Sequence, residues 1–308
     1  MSTALPESRA LAPSRPAAPP LRLRLAAAGL DGVTLLVLPA AIFLIALFVY
    51  PFLYGFVLSF KPKAGGGLFA NYLRFFSDTF FSNTVLTTMR IALPVTILNL
   101  LLAIPIAFRV RLMRHQRLLT TILVLPITLG TVLVAEGMLF YFGPQGWFNR
   151  TLLLLGLISQ PVRLVHNYWG VMISLLITGF PFTFLLTLSY VTGIDPSLEQ
   201  AAATLGARPA SRFRHIFLPL LLPGLAITFC LAFVQAYSVF PSAVLVGEPA
   251  AATRVISIAA YQAAFEDYDY SMASAIAMIM AATQLVVVLI VLGGRSLLYR
   301  GPVATGKG

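Results

Sequence analysis

Glu199 and Gln200 open a polar segment, Leu198 to Pro223, that reads LEQAAATLGARPASRFRHIFLPLLLP between two strongly apolar runs. Arg208, Arg212 and Arg214 follow within it. A carboxylate, an amide and several guanidinium groups can grip a surface through charge-assisted hydrogen bonds. Without a nucleophile and base in reach of each other they carry out no covalent chemistry. Ser197 is the expected N-cap, with Gln200 three residues on as in a capping box. Ala201, Ala202, Ala203 and Leu205 favour helix, and Gly206 stands where such a helix ends in the left-handed conformation that only glycine adopts cheaply. Pro209 and Ser211 restart the chain, and Arg212, Phe213 and Ile216 form a second amphipathic turn. The alanine face allows close backbone approach, while Leu205, Phe213 and Ile216 supply apolar anchors. Two readings remain open on physics alone. The helix lies in a groove of a soluble subunit, or it lies on the inner headgroups with its arginines on anionic lipid.

Other reactive residue types are scattered. Cys230 is the single cysteine, so no disulfide within the chain and no thiolate metal site can form. His115, His166 and His215 are far apart, which argues against a metal centre. The phosphate-cradling pattern GxxxxGK[ST] is absent; Gly65-Gly66-Gly67 reads as an outer loop and Thr305-Gly306-Lys307-Gly308 as a tail. No cofactor is implied. Arg90 and Glu136 are charges within apolar runs, where each costs about 2.5–3.5 kcal/mol at mid-bilayer. Both fall about 9 Å below the outer surface, so a buried salt bridge between them is expected, with a substrate or gate role for Glu136 as the alternative. Gln235 and Tyr237 are candidate path-lining groups, beside Asn99, Ser189 and Tyr190, although hydrogen-bonded packing serves as well. Glu248, Glu266, Asp267 and Asp269 form an acidic loop balanced only by Arg254. That loop could meet a binding protein or a cationic solute, or be a solvated face.

The elements that must position these groups are membrane spans. The 308 residues are 59% hydrophobic and 10% charged, far below the roughly 25% charged residues of soluble domains. The +11 net charge is not a nucleic-acid patch, because the basic residues recur at the ends of apolar runs. Six runs reach the roughly 20 residues a bilayer requires: near Val33–Phe60, Thr84–Phe108, Leu118–Phe142, Tyr168–Thr192, Pro219–Val239 and Ser271–Gly293. Continuous runs argue for helices rather than barrel strands. The fold class is therefore an all-α polytopic membrane protein: a six-helix domain over 31–300, with a cytoplasmic loop over 195–219. Residues 1–30, rich in Ala, Pro and Arg, read as a disordered cytoplasmic leader rather than a signal peptide, and 301–308 as a cytoplasmic tail. Lys and Arg concentrate in the leader, in Arg109–Arg117, in Arg208–Arg214 and after Arg295, which places both termini inside. Prolines within the spans, such as Pro94, Pro126 and Pro181, suit kinked helices that move, or ordinary membrane-helix usage.

The loop resembles the cytoplasmic signature of binding-protein-dependent ABC importer permeases. The family pattern is Glu-Ala-Ala, three residues, Gly, nine residues, Ile, one residue, Leu-Pro. Gln200-Ala201-Ala202, Gly206, Ile216 and Leu218-Pro219 stand at that spacing. Gln200 replaces the usual Glu, and the preceding Glu199 is the candidate to take over its role. The resemblance implies a bacterial inner-membrane, multi-pass permease without ATPase chemistry of its own. Its partners would be cytoplasmic ATP-binding subunits, a second permease that is a copy or a related chain, an extracytoplasmic solute-binding protein and membrane lipid. Glu199, Gln200, Ala201, Ala202, Leu205, Gly206, Arg212, Phe213, Ile216, Leu218 and Pro219 would form the coupling helix and its flank. LVGEPAAATR and FEDYDYSMASAIAM are similar to the polyamine-type members, which makes a polyamine or another small organic solute the implied cargo; a sugar or iron is the alternative. A self-sufficient channel or secondary transporter would want a coupling-ion site or internal repeat, and a membrane enzyme clustered His, Asp or Glu; neither is evident.

Overall fold

A computed structural model describes residues 32–63 and 65–298, with side chains over 36–63 and 65–295. The leader and tail expected at 1–30 and 301–308 lie outside the described residues. The chain divides into two units, Met1–Tyr54 and Gly55–Gly308. In the first, helix α1 (Gly32–Leu44) passes through a π turn (Ile45–Val49) into the start of α2 (Tyr50–Ser59). Leu36, Phe43, Phe48 and Tyr54 along it are all exposed, as suits a helix whose surroundings are lipid.

The second unit runs α3 (Ala70–Ser77), α4 (Thr79–Val110), α5 (Gln116–Phe142), α6 (Trp147–Leu154), α7 (Tyr168–Thr192), α8 (Pro196–Thr204) and α9 (Pro209–Arg212). A second π turn (Phe213–Phe217), α10 (Leu218–Tyr237), α11 (Pro241–Leu245), α12 (Ile256–Tyr261), a third π turn (Gln262–Glu266) and α13 (Tyr270–Leu298) complete it. No strand occurs among the described residues. Among the described residues six helical stretches are long and apolar enough to cross a membrane: Leu36–Ser59, Thr79–Val110, Gln116–Leu154, Tyr168–Thr192, Pro209–Tyr237 and Tyr270–Arg295. They coincide with the six expected runs. The fifth begins ten residues earlier than expected because the second amphipathic turn continues into α10 without a break.

Two of the π turns share a cause. The N–H of Tyr50 bonds the carbonyl of Ile45, and that of Leu218 bonds the carbonyl of Phe213. Pro51 and Pro219 come next. A proline ring clashes with the carbonyl four residues back and offers no N–H; opening the preceding turn relieves the clash. Pro94, Pro105 and Pro181 stay inside continuous helices, whereas α5 breaks at Gly130 (φ 71°, ψ 166°), four residues after Pro126.

Within the bundle α4 lies along α7 and α10, α5 packs on α7, and α10 also meets α13. One core holds Phe184, Leu188, Phe217 and Leu221 near the loop that carries α8; another holds Phe233, Tyr237, Ile256, Met272 and Ile276 towards the opposite end. In lipid the drive for this association is close packing and internal hydrogen bonding rather than expulsion of water. Thr88, Thr96, Thr178, Thr187 and Thr228 accordingly return their hydroxyls to the carbonyl four residues back, at 2.6–3.0 Å. The Tyr190 ring sits against Gly224, where a Cβ would lie 2.4 Å from it, so this tyrosine is packed between α7 and α10.

The expected Arg90–Glu136 salt bridge is not formed. Among the described residues the ion pairs are Arg74–Asp269, Arg111–Glu199 and Arg212–Glu199. The expectation assumed that spans consecutive in sequence pack along each other, but α4 spends its length on α7 and α10. Arg90 is exposed, and its carbonyl accepts from the Tyr168 hydroxyl at 2.7 Å.

Candidate functional site

The loop between α7 and α10 is built from its caps. Asp195, not Ser197, caps α8: its carboxylate accepts from the Ser197 N–H at 2.8 Å, and Pro196 takes the first helical position. Proline suits that position because its N–H would have no helical partner there. The backbone bond from Ser197 holds the Asp195 carboxyl below its ordinary value of 3.8. At the other end Ala207 N–H reaches the Ala202 carbonyl and Gly206 N–H the Ala203 carbonyl, both at 3.0 Å, with Gly206 at φ +79°. This is a Schellman ending, for which Gly206 is the left-handed residue.

No residue of α8 is buried. Gln200, Ala201, Ala203 and Thr204 are exposed and Leu205 is 88% exposed, whereas Ala202 and Glu199 are half-buried. Glu199 faces its own chain. Its Oε2 accepts from Nη2 of Arg111 at 2.7 Å, and its Oε1 from Nη1 of Arg212 at 3.4 Å. Arg111, one residue past α4, has a side chain only 8% exposed. Its guanidinium lies 4.2 Å from the Phe108 ring and 4.3 Å from the Phe217 ring, a cation held between two π faces. Phe213 is half-buried, and its ring meets Phe108 edge-on at 5.4 Å. Ile216, Leu218 and Pro219 are half-buried.

A cavity of about 170 Å³ lies towards the other end of the bundle, lined among others by Asn99, Thr131, Thr178, Gln235, Ser238 and Ser242. Five helices, α4, α5, α7, α10 and α11, and the residue that follows α10 supply these groups. Thr131 follows the Gly130 break directly, and Gly179 leaves room for the Asn99 amide, which a Cβ there would approach to 2.8 Å. Asn99 is 2% exposed and its Oδ1 has no hydrogen-bond partner, while its Nδ2 reaches the Leu175 carbonyl at 3.4 Å. Of the three path candidates the cavity takes in Gln235. Tyr237 is fully buried against Phe233, with ring centroids 5.4 Å apart, and Glu136 is half-buried elsewhere on α5.

The long loop from Ser238 to Tyr270 is pinned rather than free. Arg254, 7% exposed, stacks over the Phe80 ring at 3.1 Å and donates Nη2 to Gln262 Oε1 at 2.6 Å. Burial holds its guanidinium below the ordinary value, partly offset by Asp78, Glu266 and Asp267. The Thr88 hydroxyl accepts from the Ile256 N–H at 2.9 Å. Asp269 is spoken for as the cap of α13, accepting from Met272 N–H at 3.0 Å, while Glu248, Glu266 and Asp267 are exposed. Sequence reasoning passed over Arg111, Asp195 and the pinning role of Arg254.

Residues 64–298 match the family described as binding-protein-dependent transport system inner membrane component. The spermidine/putrescine transport system permease protein PotB of Haemophilus influenzae is 29% identical over 66% of this chain and 74% of its own. The Escherichia coli PotB is 28% identical over 58% of this chain and 65% of its own. A probable sulfate transport system permease protein cysT of Prototheca wickerhamii is 27% identical over 54% and 64% respectively. In fold the chain is similar to a bacterial alginate ABC transporter solved in complex with an alginate pentasaccharide-bound periplasmic protein. That match has a TM-score of 0.77 and 21% identity, over 92% of this chain and 99% of the other. With six apolar helices among the described residues and a matched region well over half its length, the chain belongs to the inner-membrane permease family of binding-protein-dependent ABC importers.

Proposed function

We propose that this chain forms the solute path of an ATP-driven importer and is moved by a separate ATPase that docks on α8. The observation that carries the reading is α8 itself: a short helix closed at both ends, with no buried residue, presenting Leu205 and a small-residue face outward. Such a surface suits a groove in another protein. Both termini would be cytoplasmic, following the arginines of the loops. The path would include the cavity beside the α5 break, where irregular backbone and side-chain amides replace the apolar lining of a sealed span. An extracytoplasmic binding protein and a second permease would complete the assembly. A polyamine is the leading cargo, supported by the similarity to PotB. A second reading, an uncharged hydroxylated solute, is favoured by a cavity whose lining residues include amides and hydroxyls but no carboxylate.

The test uses a quiet background: Cys230 is the single cysteine and is buried. Leu205→Cys in the full chain, treated with a short bifunctional thiol–amine reagent in native membranes, should cross-link to an ATP-binding subunit. Absence of any such product would overturn the docking assignment. Uptake of radiolabelled spermidine against a labelled polyol in proteoliposomes of the assembled transporter decides the cargo.

A further inference from the structure

We propose that Glu199 is an inward strut: it does not meet the docked partner, but ties α8 to the end of α4 through Arg111, so that displacement of the loop is delivered to that span. The inference rests on the docking role of α8 proposed above and names the residue that connects it to the bundle. Three observations converge. The Glu199 carboxylate is engaged on both oxygens, by Arg111 at 2.7 Å and Arg212 at 3.4 Å. Arg111 is fixed in turn, its flat guanidinium held between Phe108 of α4 and Phe217 of the π turn, with only 8% of the side chain exposed. And α8 has no fully buried residue, so among the described residues the ion pairs are its polar side-chain attachment to the spans.

The charge pattern points the same way. One carboxylate shared by two guanidinium groups leaves the cluster positive, and a basic residue of a partner gains nothing by approaching it. The outward face of α8 is then uncharged: Gln200, Ala201, Ala203, Thr204 and Leu205. Glu199 is a positioning residue, and replacing it should uncouple the loop from α4 while leaving the docked surface intact.

The experiment is a double-mutant cycle on the assembled transporter in proteoliposomes, with Glu199→Gln, Arg111→Gln and the double variant. Two quantities are read: the ATPase retained on purification through this chain, and the stimulation of ATP hydrolysis by solute and binding protein. Each single variant should retain the ATPase at wild-type stoichiometry yet lose about tenfold in stimulation, within the usual span of inter-site coupling. The double variant should be no worse than the poorer single one. Loss of ATPase from Glu199→Gln, or effects that multiply in the double variant, would overturn the strut in favour of a direct partner contact. If Arg111→Gln fails to insert, Arg111→Lys keeps the charge without the flat stacked fork; it should retain the ATPase and lose stimulation, and full stimulation would overturn the proposal. A wild-type chain that retains no ATPase would instead remove the docking reading itself.

Discussion

Arg111 and Arg254 are two buried arginines at opposite ends of one bundle, and they are held differently. Both lie on phenylalanine faces, Arg111 between two rings and Arg254 over one. Arg111 has a carboxylate at 2.7 Å and leaves its Nε without a partner; among the described residues Arg254 has only the neutral amide oxygen of Gln262 at 2.6 Å, and both its Nε and Nη1 lack partners. A desolvated ion is tolerated either by an opposite charge or by a polarisable surface with remote compensation. The first makes a specific joint between two segments. The second pins a loop, and burial pushes the Arg254 guanidinium below its ordinary value.

Substitution separates the two arginines, with thermal denaturation of the detergent-solubilised protein as the readout. Arg111→Met should have the largest effect, about 1–3 kcal/mol, because it strands Glu199 with a single weaker partner; the partial exposure of Glu199 keeps the loss below that of a fully buried pair. Phe80→Leu should cost about 1 kcal/mol through the lost cation–π contact, and should cost clearly less when Arg254 is already Met. Arg254→Met should be nearly neutral, within about 1 kcal/mol either way, since it removes an under-satisfied charge. An Arg254→Met loss as large as that of Arg111→Met would end the distinction. The smallest effect concerns Asp195. Its carboxyl is held below 3.8 by the Ser197 N–H, so its capping contribution is complete above that pH and fades as pH falls through the lowered value. Asp195→Asn should keep the helix start and remove that acid dependence, checked by melting the two proteins side by side from pH 6 downwards.

Much of the architecture was legible in the residues. Six spans and the Gly206 stop follow from apolar run length and from glycine's tolerance of positive φ, both local properties. What local reading missed has physical reasons. Ser197 and Asp195 both suit a cap, and Pro196 settles the choice by taking the first helical position. Phe213 was expected as an apolar anchor, and its ring also meets Phe108 of α4, a long-range contact that spacing along one helix does not reveal. Arg111 looked like one more inner-loop cation because its partner is 88 residues away. Arg90 and Glu136 matched in depth, yet depth along a span does not say which spans are neighbours. Of the cavity, Gln235 was singled out and Asn99 noted, while the Gly130 break that brings Thr131 to it carries no signal beyond a glycine after a proline.

The two closed ends of α8 have a thermodynamic consequence. A helix of nine residues is far too short to persist unaided in water, since nucleation is unfavourable and its terminal amides and carbonyls would compete for solvent. With Asp195 and Pro196 at its beginning and the Gly206 ending at its finish, those groups are already answered within the chain. A protein that took up this helix would lose rigid-body freedom but would cost the permease side very little conformational entropy.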